Sequence, residues 1–431
     1  MHVGGVRRPR GRKMGRKGRN AAVGAGLVAT VVLAAGFLGV VLNRNATPAD
    51  PGSTEASARL EWHSTKVSAT SSLSPFLAVS NGRLYMVTDV RQGSSRAPEL
   101  WSSADAVQWE QVANPGMESD FVARAVMADG SGGLIAVGEL TSTESTVPQI
   151  WHSTDGKTFA KAQVQLFGTG SASASASGEI VAVAISRGQM VAFGGHNVVD
   201  NTMNAASKGS EVRGLDSWHS TDGENWTRSD LADSDGYQAI SMTAWSGGFA
   251  DLASQPGADA GYGVWLSADG VAWHKAGTVA TFGANSIVAR SDRLVVVGSK
   301  QDATRGMVPA SWSSADGGSW AEAVAPVSGI GATFDAVAVV GDSVVAIGMS
   351  HVGSTGEPGG PSATPLALVP PTAWISSDGS SWQILGDAPA FQPYLTSMAA
   401  LDRRVVVATV TGTAEVTVSV GNLPGSGAAG Q

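Results

Sequence analysis

The sequence predicts an all-β chain: a seven-bladed β-propeller closed by an N-terminal strand in its last blade, preceded by one transmembrane helix. Three observations carry this. A nine-residue phrase, W-x-S-x-D-G-x-x-W, recurs six times, at Trp101, Trp151, Trp218, Trp265, Trp312 and Trp374, and only Ala106 and Phe159 break its pattern. A short run rich in β-branched residues precedes each copy and occurs a seventh time near the C-terminus, as RVVVATVT from Arg404. An uncharged apolar stretch of 22 residues, 21–42, follows a strongly basic start. A repeat of this length outweighs the two or three domains that 431 residues would otherwise allow.

The chain opens with eight Arg and Lys among residues 1–20 and no acid. At about 1.5 Å per residue the following apolar stretch is long enough to cross the ~30 Å hydrocarbon layer. It exceeds the about 7–15 apolar residues of a cleavable signal, and Asn43-Arg44-Asn45 is no small-x-small cleavage site. The expectation is therefore a basic cytoplasmic tail (1–20), an uncleaved anchor in the cytoplasmic membrane (21–42), a linker (43–59) rich in small polar residues and proline, and an exported propeller (60–421). A Gly-rich tail (422–431) follows. Without the eight N-terminal basic residues the chain keeps 20 basic against 36 acidic residues, a net of −16. Such a surface disfavours nucleic acid and anionic lipid. Cysteine is absent, so disulfides, thiolate metal sites and a lipoprotein anchor are excluded.

Within each phrase Trp and Ser alternate, which puts them on one face of a strand. Asp-Gly then makes a tight turn, since the carboxylate accepts backbone N–H groups and glycine tolerates positive φ. The second aromatic opens the returning strand. Asp105, Asp155, Asp222, Asp269, Asp316 and Asp378 are accordingly read as turn residues, because catalytic carboxylates do not recur six times at one local position.

Each unit supplies an inner run, a second run ending near glycine (GLIAVGEL from Gly133, QMVAFGGH from Gln189, RLVVVGSK from Arg293) and the two arms of the box hairpin. Seven second runs face six boxes. The last unit stops after TAEVTVSV (Thr413 to Val420), one strand short, while LEWHSTKV (Leu60 to Val67) carries Trp62 with no box before it. Pairing these two ends completes the seventh blade and removes two exposed sheet edges.

The phrase resembles the Asp-box, or BNR, repeat of sialidase-like β-propellers, with Asp and Gly adjacent rather than separated by one residue. It is also similar to the repeat of photosystem II assembly-factor propellers. The resemblance spans nearly all of residues 60–421 and implies the propeller fold, with boxes in turns remote from any active site. The anchor, the closed repeat and the lack of a catalytic constellation make a membrane-anchored, extracytoplasmic binding or scaffold module for a protein or glycan ligand the leading reading; the resemblance implies two alternatives, a sialidase-like glycoside hydrolase and, second, an assembly factor for a membrane complex. The hydrolase would need an arginine cluster and a Tyr–Glu pair. The family's Arg-x-Pro signature has one counterpart, Arg96-Ala97-Pro98, within a loop, and none of the four tyrosines stands beside an obvious glutamate partner. No catalytic residue is assigned.

Loops joining second to third strands, and one blade to the next, share the face opposite the boxes. The long insertions fall there: Asn197 to Ser217, His351 to Thr372, and the connector GTGSASASASG (Gly168 to Gly178), read as a solvated spacer. Binding groups on a rigid scaffold concentrate in such loops. Glu118, Asp120, Glu179, Asp235, Tyr237, Asp335 and Tyr394, at the starts of inner strands, point to the mouth of this face. Arg124 and Arg290, within inner runs, are expected toward the channel. Tyr237 and Tyr394 lead, because an aromatic face can stack on a sugar ring or a peptide side chain. The seven histidines show no metal-ligand spacing, and no phosphate loop, dinucleotide fingerprint or nucleophile elbow appears in context. Nothing in the chain asks for a cofactor or metal.

The membrane reading predicts that protease added outside spheroplasts degrades the propeller. Protection until lysis would reverse the orientation.

Overall fold

The computed structural model describes most of residues 59–423. Residues 1–58, 424–431 and short internal segments, chiefly 167–173, 201–210, 256–260, 328–330, 352–369 and 393–395, lie outside the described residues. The basic tail, the apolar anchor, the greater part of the linker and of the C-terminal tail, and Tyr394 therefore fall outside them. Among the described residues no helix is long and apolar enough to cross a membrane.

Seven antiparallel sheets form the fold. Blade one holds Phe76–Ser80, Arg83–Gln92, Ser95–Ser103 and Glu110–Val112. Blade two follows with Phe121–Ala128, Leu134–Thr141, Thr146–Ser153 and Ala160–Lys161. Blade three holds Ala174–Ser186, Gln189–Asp200, Glu211–Ser220 and Asn225–Asp230, with a fifth strand, Gln163–Val164, pairing parallel to Asn225–Trp226. Gln238–Trp245, Gly248–Ser254, Tyr262–Ser267 and His274–Val279 make blade four, and Gly283–Ala289, Leu294–Asp302, Gly306–Ser314 and Ala321–Val324 make blade five. Blade six consists of Ala336–Val340, Ser343–Gly348, Thr372–Ser376 and Trp382–Asp387. In blade seven Thr396–Leu401, Arg404–Thr411 and Glu415–Asn422 are joined by the N-terminal strand Trp62–Thr70. First strands of successive blades touch in a closed circuit, and the last touches the first.

The closing strand pairs as the strand count requires. Trp62 faces Gly421, His63 faces Val420 and Thr65 faces Val418, antiparallel. Strand Trp62–Thr70 also buries Val67 and Ala69 against the seventh blade's Val416 and Val418 and the first blade's Leu77. Just before it, Leu60 reaches the preceding blade, where its N–H donates to the Leu385 carbonyl at 3.1 Å. The Trp62 indole N–H donates to the Asp387 carbonyl at 3.0 Å.

The core is divided into seven clusters, one in each seam between neighbouring blades. Every box Trp enters the seam shared with the preceding blade: Trp151 with Phe121 and Leu100, Trp218 with Ile135, Trp265 with Phe193, Trp374 with Val295. Indole N–H groups fasten three of these to the connector that has just left the preceding blade: Trp218 to the Gln165 carbonyl, Trp265 to Ala232 and Trp374 to Pro326, at 2.8–2.9 Å.

The glycines that end the second runs have a steric cause. A Cβ on Gly138, Gly194, Gly298 or Gly348 would lie 1.6–2.0 Å from a carbonyl of the first strand (Val122, Glu179, Gly283) or, in blade six, of the segment entering it (Thr333). In blades two, three and five the first strand bulges just beyond this contact. The bulge brings one backbone against another, and only glycine leaves room.

Blade three departs from the expected loops. The connector read as a spacer ends in strand, since Ala174 to Gly178 pair with Asp200 to His196. The insertion from Asn197 is likewise hairpin at both ends, with Val198 opposite Val212 and Asn197 opposite Arg213. The backbone groups of these alternating small residues are satisfied by His196 to Asp200, so a composition that reads as linker extends the sheet. The resulting three-stranded ledge rises above its neighbours on the loop face. The insertion of blade six begins with a small ladder in which His351 faces Gly331, and residues 352–369 lie outside the described residues.

Deleting residues 1–57 should leave a folded propeller. Extending the deletion through Val67 removes Leu60, Trp62 and Val67 from two seams, a loss of several kcal/mol by burial. We expect the melting point to fall by at least about 5 °C relative to the shorter deletion; equal melting of the two would refute the closure.

Candidate functional site

The molecule has two unlike faces, and the repeated turns occupy one. In the hairpin of blade three the Ser220 hydroxyl donates to Asp222 Oδ1 at 2.9 Å and accepts the Gly223 N–H at 3.0 Å. Asp222 Oδ1 in turn accepts the N–H groups of Glu224 and Asn225, both at 2.8 Å. The Trp226 indole then donates to the Gly223 carbonyl at 2.9 Å, locking the returning strand. Asp105, Asp155, Asp269, Asp316 and Asp378 accept the equivalent pair of N–H groups at 2.6–3.0 Å. All six carboxyls lie below the ordinary aspartate range, Asp222 through the Asn225 side-chain amide first and then its backbone donors, the others lowered chiefly by their backbone N–H donors. For Asp378 burial acts the other way, yet the bonds from Ser381 and Ser380 bring it down to about 2. Arg290 also belongs to this face. It follows the first strand of blade five, donates to the Ser377 carbonyl in the box turn of blade six and lies near Asp292, so it does not line the loop-face mouth. One residue past the strand end, its backbone has already reached the turn between first and second strands.

On the opposite face the other sequence candidates separate into braces and lining groups. Asp120 is a brace: its carboxylate accepts the Arg96 N–H at 3.0 Å and its own N–H donates to the Arg96 carbonyl at 2.7 Å, tying blade two to the hairpin of blade one. Asp335 accepts the Met349 N–H at 2.8 Å within blade six. Glu118 pairs with Lys161 at 3.2 Å in solvent. Asp235 is exposed in the turn leading to blade four.

Arg124 faces a buried partner, Glu139, with a bidentate contact, Nη2 to Oε1 at 2.7 Å and Nε to Oε2 at 3.1 Å, and Glu179 stands 3.9 Å away. Burial pushes Glu139 upward against the pull of Arg124. Arg96, from the Arg-x-Pro sequence, lies 3.5 Å from buried Asp89.

A cavity of about 170 Å³ opens beside the ledge of blade three. Glycines from its three strands, Gly178, Gly195 and Gly214, form one wall, with Glu179 and His196; Tyr237 and Gln238 of blade four form the other. His196 lies across Gly214, where a Cβ would come within 2.8 Å of the ring. Its Nδ1 is 2.6 Å from Asp216, a fully buried carboxylate that also accepts Arg228 Nε at 2.9 Å. Tyr237 is only 7% exposed, its ring edge-on to Trp265 at 4.9 Å. Lys275 donates to its hydroxyl at 2.8 Å and lies over its ring at 4.5 Å. Tyr237 therefore offers a hydroxyl to the cavity and no open face for stacking, contrary to the role expected for it.

The His196–Asp216–Arg228 row, Glu139 and Lys275 were not singled out from the sequence. A signal existed: Glu139 ends GLIAVGEL, and Asp216 sits beside a box in GLDSW, charged residues in strands otherwise buried on both faces. Among the described residues no group of three or more His, Asp or Glu could hold a metal ion.

No protein-family model matches the sequence. No curated protein matches it. Among solved structures it is similar to YCF48 bound to D1 peptide, at 14% identity over 86% of this chain and 97% of that one, with a TM-score of 0.49. It is also similar to a protein of unknown function from Dyadobacter fermentans (12% identity, 85% and 98% covered, TM-score 0.42). A third is the Trypanosoma rangeli sialidase in complex with the inhibitor DANA (11% identity, 84% of this chain and 58% of that chain, TM-score 0.40). Likeness at this level bears on neither activity nor ligand, and the propeller stands on its own strand order.

One buried acid lies outside both faces. Asp251 is fully buried in the seam between blades three and four, and neither carboxylate oxygen has a hydrogen-bond partner among the described residues. It pairs across the sheet with Trp265, where the other boxed blades place Met86, Ala136, Ala192, Val296 and Ala346. Burial pushes its carboxyl well up.

Two opposite pH dependences follow. The box carboxyls, depressed in the fold, stabilise it above about pH 4, and this is lost as pH falls through their folded values. Asp251, raised in the fold, stabilises fully below about pH 4, and that is lost as pH rises toward its folded value. Thermal melts across pH should show Asp222→Ala costing roughly 0.5–2 kcal/mol at pH 7, with less difference at pH 2, whereas Asp251→Ala should raise the melting point at pH 7. A destabilised Asp251→Ala would mean that an unseen partner satisfies this carboxyl.

Proposed function

We propose that the chain is a membrane-anchored, extracytoplasmic β-propeller whose loop face binds a protein or glycan ligand as a scaffold, without transforming it. The observation that carries this reading is the loop-face cavity, in which positioned polar groups converge while the neighbouring cations are held by carboxylates. Arg124 is held by Glu139 and Arg228 by Asp216. Arg96 lies beside Asp89. A sialidase-like site would need such arginines turned toward a substrate carboxylate. Here each already faces a protein carboxylate, which a substrate would have to displace at the cost of leaving it buried and unpaired. The separation of faces supports the same reading: box turns hold the ring, and the ledge of blade three departs from the repeat on the face where binding loops lie.

The test uses a photoreactive amino acid placed at exposed Gln238 on the loop face or at exposed Val271 on a box turn, in the full chain within its native membrane. A discrete cross-linked partner at the first position and none at the second is expected. Cross-linking only from the box face, or turnover of 4-methylumbelliferyl N-acetylneuraminic acid above the blank, would overturn the reading.

A further inference from the structure

We infer that the cavity beside blade three receives a lysine or arginine side chain carried on an extended segment of a partner protein. This rests on the reading of the loop face as a binding surface and gives that surface one ligand chemistry.

Charge is the first argument. Glu179 lines the cavity with its side chain 48% exposed, and Arg124, which pairs with it at 3.9 Å, has its guanidinium already engaged by Glu139. Lys275, the basic group nearest the opposite wall, donates to the Tyr237 hydroxyl. Among the described residues the lining thus presents a solvent-facing carboxylate, with Arg124 and Lys275 beside it already engaged, so a donor-rich, positively charged group fits better than an anionic one. The net charge of −16 beyond the apolar stretch favours encounter with such a partner.

Shape is the second. At about 170 Å³ the cavity is smaller than the roughly 300–1,000 Å³ of a typical small-molecule site, a size that suits one long side chain better than a glycan. The usual platform for a sugar is missing as well, since Trp265 and Lys275 take up the ring of Tyr237.

Backbone geometry is the third. Ala174–Ser186 is the terminal strand of its sheet and spans 13 residues, so its first five extend the ledge. Among the described residues no strand pairs with its other edge. An edge of this kind accepts an added strand, whose backbone supplies affinity while one side chain enters the neighbouring pocket. Ser177, Gly178 and Glu179 belong both to this strand and to the cavity wall. A peptide on the edge would therefore present its side chain directly to Glu179.

The full chain in lipid nanodiscs is titrated with the blocked peptide acetyl-Thr-Val-Arg-Val-Thr-amide. Saturable binding is expected, weakened about tenfold when citrulline replaces the arginine, since the shape is kept and the charge is lost. The variants E179Q and Q238K, at exposed positions that leave the fold intact, should weaken it as much. E118Q, on the same face outside the cavity, should leave it unchanged. Equal affinity for the citrulline peptide, undiminished binding by E179Q, or no binding at all would overturn the inference. Partner cross-linking from Gln238 would in each case still stand, so the broader reading survives or falls by its own test.

Discussion

Everything in this ring depends on one interaction: a tryptophan from each box wedged into the seam with the preceding blade. A single four-stranded sheet buries neither of its faces, and it becomes stable only when a neighbour covers it. The box solves this locally. Its Ser and Asp fix the turn through backbone N–H groups, and the turn fixes where the two aromatics stand. Indole N–H groups then bind either the turn's own carbonyl, as Trp226 does to Gly223, or the connector of the preceding blade, as Trp265 does to Ala232. In these boxes the polar atom of the largest side chain is satisfied while its rings are buried, whereas the Trp151 indole N–H is buried without a partner among the described residues. Blade seven has no box, and its seam with blade six is completed instead by Leu60 and Trp62 from the other end of the chain. Closure is the same wedge supplied from a distance.

This explains why the fold was legible from sequence. Box, second run and orphan strand are local patterns, and counting seven runs against six boxes requires no knowledge of contacts. That the strand carrying Trp62 pairs with the last strand follows from having one strand too few at one end and one too many at the other; its register, Trp62 to Thr65 against Gly421 to Val418, comes from the structure. What sequence hid was of two kinds. The alternation of serine and alanine before Gly178 has the composition of a linker, and only its partners, Asn197 to Asp200, make it a strand. Asp251 hid in the opposite way: inside GGFADLAS it occupies a core position that composition would give to alanine or valine, and its environment is set by residues of blade three far away in sequence.

The candidate site was less legible because its chemistry is made across strands. Tyr237 led, with Tyr394, on account of its ring, but the fold packs that ring against Trp265 and Lys275, and Lys275 also donates to its hydroxyl. Arg290 lies in an inner run, but the strand ends one residue earlier and turns it to the box face. Arg124 does stand on the first strand of blade two, yet its partner Glu139 comes from the second strand and Glu179 from the next blade. A linear pattern gives the strand on which a residue sits; it does not give which carboxylate has already claimed a guanidinium.

The two faces also answer to different physical constraints, and this bears on how such a chain can acquire a ligand. On the box face each turn is determined within six residues, from the Ser to the third residue past the Asp, so a change there is felt as stability. On the loop face the limit is the approach of backbones at Gly138, Gly194, Gly298 and Gly348, beyond which strands are free to lengthen. Blade three uses that freedom. Above the Gly194 contact its strands continue, and three further glycines thin the sheet so that His196 can lie flat and a cavity can open beside it. A ligand site placed above this contact takes nothing from the seams that hold the ring. Its residues can therefore change with the partner while the tryptophan wedges stay as they are.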